Sequence, residues 1–335
     1  MRIAPVACVA VLLGSAATIR GEPLDRRQVS AEANWLVHID FDMVASGKAA
    51  QKIRDDWLTA DAVKESLQQV REMFGLDPTR DLAGVTFYGN GRLPYFNGVV
   101  LVRTKVDARR VVARLNQRLD HQSNSYAGHE VYIWPQEDQK RAKNVIGCVC
   151  GPQTIVFSKH AQAVRLALEV LDGKSPSLSG SNLPLAGEAP AGTVLQAGGV
   201  AAARAFIPLM SPVVRQSESL WLAVGERDGV AFGQARLVAR SSQVAAQIRA
   251  ALEGVVAMAR LDADTDHDPL QWRDWQEAAT ARSQADSSRL LVKLLDGIQV
   301  TQADCTVNVQ WRVPSDDLLK LIEMHSGWNR RSRGR

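Results

Sequence analysis

The chain has 335 residues, of which 46% are hydrophobic and 23% charged; that is enough apolar material for a substantial core and excludes a wholly disordered chain. The formal charge of +4 is a terminal effect, because without Arg2 and the four arginines of 329–335 there remain 35 basic and 36 acidic residues. A neutral body gives no case for nucleic acid as a partner.

A positive start at Arg2, an apolar run from Ile3 to Leu13 and the small residues Gly14 to Ala17 make the pattern of a cleaved export signal over residues 1–20. Cys8 lies too close to the start, just after Pro5, for a lipoprotein anchor. No later run reaches the roughly 18 apolar residues of a membrane span, so no transmembrane segment is expected after signal removal. The expected location is the periplasm or the extracellular space.

The mature chain opens with a strand, Trp35 to Asp40. Val63, Leu67, Val70 and Phe74 then recur at helical spacing, ended by Gly75 and the Asp77-Pro78 turn. Val85 to Tyr88 and Gly98 to Arg103 read as strands on either side of a turn at Asn90-Gly91. Asp107 is placed to cap a helix carrying Val111, Val112, Leu115 and Leu119. His129 to Trp134 alternates as a strand, and Val145 to Cys150 and Thr154 to Ser158 form a hairpin about Gly151-Pro152. A helix from Ala161 to Leu171 ends at Asp172-Gly173.

Residues 174–192 are rich in Ser, Pro and Gly and read as a linker. The same order of elements then recurs. Thr193 to Gln196 is strand-like, Leu220 to Val224 and Val230 to Ala239 form a hairpin, and a helix starts at Gln243. A second hairpin, Ile298 to Thr301 with Cys305 to Val313, leads to a helix capped by Ser315. Arg103 and Leu115 lie 137 residues before Arg240 and Leu252, while Val164 and Leu168 lie 154 residues before Leu318 and Ile322. The difference falls on an extra polar, helical insert around Leu270 to Arg282. The expected fold is α+β, in two tandem copies of a unit with a mainly antiparallel sheet and packed amphipathic helices. Copy A covers 21–173 and copy B 193–326, and a basic disordered tail covers 327–335.

Residues that bear chemistry are sparse. His38, Asp40 and Asp42 alternate, so an extended strand would bring an imidazole and two carboxylates to one face as candidate metal ligands. Asp262, Asp264, Asp266 and Asp268 begin like a calcium loop, but His267 stands at its glycine position and Arg273 at its twelfth. Gly89-Asn90-Gly91 starts a phosphate-binding pattern that Pro94 breaks, and His129-Glu130 lacks the second histidine of a zinc-protease helix. Trp272 and Trp275, three apart on the insert, make a candidate aromatic patch. After signal removal three cysteines remain. Cys148 and Cys150 point to one side of a strand, which disfavours a bond between them, and either is a disulfide candidate with Cys305.

The segments "NWLVHID", "MFGLDPTRDLAGVTFYG" and "AVRLALEVLDGKSPSL" resemble a group of exported proteins of planctomycete-type bacteria with no assigned activity. The resemblance implies export and duplication and transfers no site. With no complete catalytic motif and no cofactor indicated, the expectation is an exported, non-enzymatic binding or envelope-associated protein, with a protein or envelope component as its partner. The alternatives are a metal-dependent hydrolase, with its site in copy A or between the copies, and a small-molecule or lipid carrier.

Overall fold

The computed structural model describes residues 23–58, 61–90, 98–136, 143–180, 187–200, 216–264 and 290–332. The signal region, Asp266, Asp268, Trp272 and Trp275 lie outside the described residues, as do the side chains of Asp262 and Asp264.

The run Trp-Leu-Val-His-Ile-Asp favours an extended chain, and it forms β1 (Trp35–Asp40) at the centre of the molecule. Its two edges are both paired. On one side it meets β2 (Leu82–Gly89), with Leu36 opposite Tyr88. On the other it meets β8 (Thr193–Val200), with His38 opposite Gln196. From β2 the sheet continues through β3 (Gly98–Thr104), β7 (Thr154–Ser158), β6 (Lys143–Gly151), β5 (His129–Gln136) and β4 (Gln122–Tyr126). From β8 it continues through β9 (Ser217–Arg227), β10 (Val230–Ala239), β12 (Thr306–Pro314) and β11 (Gln299–Ala303). The twelve strands among the described residues all pair antiparallel in one sheet, so the fold is α+β with its two halves joined edge to edge at β1 and β8.

Both faces of the first half are covered. On one face Leu36, Val99, Leu101, Cys148 and Val156 meet Val164, Ala167 and Leu168 of helix α6 (Ala161–Leu171). The opposite face carries Ile39, Val85 and Ile155. It packs against α1 (Phe41–Ser46), α3 (Asp61–Phe74) and α5 (Ala108–Arg118), the last through Val111, Val112 and Leu115. Strand alternation and helical spacing together produce these two layers. Each fully buried aliphatic contributes about 1.5–3 kcal/mol of transfer free energy. Two further helices in this half are α2 (Lys48–Leu58) and the one-turn α4 (Pro78–Asp81). In the second half α7 (Ser242–Asp264) sets Ala245 and Ile248 against Leu237 and Val307, and α8 (Ser315–Ser332) closes the chain.

Local details follow the same logic. Asp107 accepts a hydrogen bond from the Arg109 amide at 2.9 Å and starts α5 as expected. Gly233 faces Trp311 across β10 and β12, where a Cβ would run into the indole ring; only glycine leaves that room. Ala127 and Gly128 both have positive φ, 53° and 90°, which suits the two-residue turn between β4 and β5.

Several expectations need correction. β4, Gln-Ser-Asn-Ser-Tyr, is a polar edge strand with four exposed residues, so no hydrophobic alternation announced it. The expected linker is tied down where it begins: Ser177 bridges to Ser30, and Leu178 is fully buried with its amide on the Val29 carbonyl at 2.8 Å. α8 runs to Ser332, past the boundary at 326 where a tail was expected to begin. Ser315 is the first residue of α8, not its cap, and its buried hydroxyl makes no hydrogen bond.

Candidate functional site

The three residues expected to bind metal do not converge. β1 ends at Asp40 and α1 begins at Phe41, so the alternation stops before Asp42. The His38 ring nitrogen Nδ1 lies 2.8 Å from the Thr86 hydroxyl, deep in the sheet. Asp40 caps α1, by accepting from the Met43 amide at 2.9 Å. Asp42 is buried with a carboxylate oxygen 2.5 Å from the Lys105 ammonium. The three side chains serve a sheet contact, a cap and an ion pair.

The disulfide expectation is also corrected. Cys148, Cys150 and Cys305 are all free thiols. Cys305 lies in the turn between β11 and β12, and seven strands separate β12 from β6. At about 4.8 Å per strand that is roughly 38 Å along the sheet, far beyond the reach of an S–S bond.

The structure brings together a group that the sequence did not. His129, Cys148 and Cys150 place their ligating atoms within 4.8 Å of one another. The β5–β6 register sets Val131 opposite Cys148, where the ladder ends, and His129 lies two residues before Val131 on the side of Cys150. On the other edge of β6 the pairing with β7 shifts register between Val149 and Gly151, at Cys150. His129 Nε2 is 2.9 Å from a carboxylate oxygen of Asp172, the residue that ends α6; Lys174 holds the other oxygen at 2.8 Å. The Cys150 thiol beside the Cys148 sulfur lowers the Cys148 pKa below its ordinary value, while Cys148 and burial push Cys150 up. His129-Glu130 was legible as a dipeptide, but only strand pairing places it over Cys-x-Cys.

On the same side of the sheet, an open cavity of about 500 Å³ lies at the amino end of α6. Its apolar lining includes Ala33, Val99, Leu166 and Ala167; Glu32, Asn90, Lys159, His160 and Gln162 supply polar groups. His160 occupies the N-cap position of α6 but makes no side-chain capping bond. The first turn therefore lacks a side-chain acceptor of the kind a Ser or Asp cap supplies, and its Ala163 amide turns instead to the His160 carbonyl at 3.1 Å. The helix dipole and Lys159 both favour negative charge at this end. Tyr88 forms part of the wall; its hydroxyl is buried without a hydrogen-bond partner, and burial, with the neighbouring Cys150, pushes its pKa up.

No protein-family model matches the chain, and neither does any curated protein. Solved structures similar to it include two crystal forms of TP0453, a Treponema protein. Form III is 9% identical over 89% of this chain and 98% of that one, with a TM-score of 0.45. Form I is 9% identical over 89% and 96%, with a TM-score of 0.40. Likeness at that level carries no argument about activity.

Proposed function

We propose that this is an exported binding protein that takes a small anionic ligand with an apolar portion into the cavity at the head of α6. The observation that carries this reading is the cavity itself: a helix start without a side-chain cap and a lysine beside a floor of Ala33, Val99, Leu166 and Ala167. Small-molecule sites combine a largely apolar wall with a few polar groups in this way. The setting outside the cytoplasm rests on the amino-terminal pattern and on the resemblance to exported planctomycete-type proteins. Among the described residues no helix is long and apolar enough to cross a membrane.

The reading includes a duplicated scaffold. Outward from the β1–β8 seam the strand order is β1-β2-β3-β7-β6 on one side and β8-β9-β10-β12-β11 on the other. The helix after β3 corresponds to the one after β10, and the helix after β7 to the one after β12. The β4–β5 hairpin is then the addition peculiar to the first half. Under this correspondence the head of α8 is the counterpart of the cavity. There Asp316 meets Lys48 at 3.3 Å and the amide of Ser315, the first residue of α8, donates to the Gly229 carbonyl, whereas at α6 the engaged amides are those of His160, on Ser158, and Ala163, on the His160 carbonyl. Binding is accordingly assigned to the first half.

The test is calorimetric titration with inorganic phosphate and with carboxylates of increasing chain length. Saturable binding that tightens with chain length and weakens at least tenfold in Lys159→Glu is expected. Affinities unchanged in Lys159→Glu and in the cavity-filling Ala163→Phe would overturn the assignment.

A further inference from the structure

We propose that His129, Cys148 and Cys150 form a binding site for a soft d10 cation of the zinc type, with Asp172 as the group that orients the histidine. The site is separate from the cavity, whose lining includes none of these four residues.

The donor set and its spacing carry the proposal. In a tetrahedral zinc site, bonds of about 2.3 Å to sulfur and about 2.0 Å to nitrogen put neighbouring ligand atoms roughly 3.5–3.8 Å apart. The three atoms here lie within 4.8 Å of one another, so modest side-chain rotation closes the site with no change of strand pairing. Thiolates and an imidazole are the ligands that such ions select. Two thiolates also balance the charge of a divalent ion, which matters because Cys148 is fully buried.

His129 is not packed as a core residue. Its Nε2 is engaged by Asp172 at 2.9 Å, so Nδ1 is the ring nitrogen that the proposal assigns to the ion. A carboxylate holding the far nitrogen of a ligating histidine fixes ring orientation and raises its basicity. The carboxylate is itself anchored, by Lys174 on its second oxygen and by its place at the end of α6. Thus three elements converge: the first residue of β5 delivers the histidine, β6 the two sulfurs, and the C-cap of α6 the carboxylate.

A disulfide is the competing use of Cys-x-Cys. Residues two apart on a strand have Cα atoms about 6.6 Å apart by strand rise, at the far limit of disulfide geometry. A shared ion tolerates that separation better. Three protein ligands leave one tetrahedral position open to water or an exogenous donor.

The experiment uses the full chain, purified under reducing conditions without chelator and then loaded with zinc(II) or cobalt(II). One equivalent of zinc is expected, with thiolate-to-cobalt charge-transfer bands and a tetrahedral ligand-field spectrum. Zinc affinity, read by competition with a chromogenic chelator, falls at least tenfold in His129→Ala and Cys150→Ser. In Asp172→Asn it falls about tenfold, the usual effect of losing an outer-shell partner; Cys305→Ser leaves it unchanged. Circular dichroism establishes that each variant is folded, and the half-buried Cys150 provides the decisive one if Cys148→Ser does not fold. The proposal is overturned if the wild-type chain binds no more zinc than the folded Cys150→Ser variant, or if the cobalt spectrum lacks thiolate charge transfer.

Discussion

Tyr88→Phe removes one oxygen from the wall between the cavity and the sheet, and the substitution is expected to stabilise the protein. Tyr88 is 3% exposed and its hydroxyl has no hydrogen-bond partner. A buried hydroxyl left unpaired costs about 1–3 kcal/mol in lost hydration. The phenyl ring stays in place among Leu36, Val99 and Ala167, so no cavity opens and no aromatic packing is lost. The expected gain is therefore about 1–2 kcal/mol, or a rise in Tm of roughly 1.5–3 °C for a chain of this size. Urea unfolding monitored by tryptophan fluorescence measures it: the midpoint should rise with the m-value unchanged. A fall of 1 kcal/mol or more would refute the reasoning, because it would mean that the hydroxyl has a partner worth more than its dehydration.

Three other outcomes follow from local geometry. Gly147→Ala places a Cβ 2.7 Å from the Phe157 ring and 2.8 Å from Trp134, and should cost about 1–3 kcal/mol in urea unfolding. Asp107→Ala removes the cap of α5 and should cost about 1 kcal/mol by the same measurement, with Asp107→Asn recovering most of it. Burial, together with a 2.6 Å bond to Glu130, pushes the Tyr132 pKa up to about 12. A tyrosine raised in the folded state contributes stability that is fully present below its unfolded pKa near 10 and lost as pH rises through the folded value. Stability should therefore fall between about pH 10 and pH 12, and less steeply in Tyr132→Phe, as alkaline unfolding curves will record.

Much of the architecture was legible because its signals are local. β1, β3 and β7 announce themselves by β-branched and aliphatic residues, α5 by Asp107 and its apolar stripe, and the hairpins by Gly and Asp turns. β4 was missed because an exposed edge strand needs no apolar residues. The seam between β1 and β8 was invisible because strand pairing over some 150 residues leaves no periodic trace. The same limit applies to the candidate sites. His38, Asp40 and Asp42 formed a pattern only while the strand was taken to continue past Asp40, and the start of α1 breaks it. His129 and the two cysteines lie about twenty residues apart and meet only through the β5–β6 register. The cavity depends on the N-terminal segment, two strand ends and α6 together, so no single stretch of sequence contains it.

Amide chemical-shift mapping on the ¹⁵N-labelled chain tests the central assignment most directly, with a medium-chain carboxylate as titrant. The account predicts saturable shifts concentrated on Ala161, Gln162 and Ala163 at the start of α6, with Ala33 and Val99 moving in the same concentration range. Shifts that leave these amides unmoved at saturation, or that gather at the head of α8 instead, would contradict it.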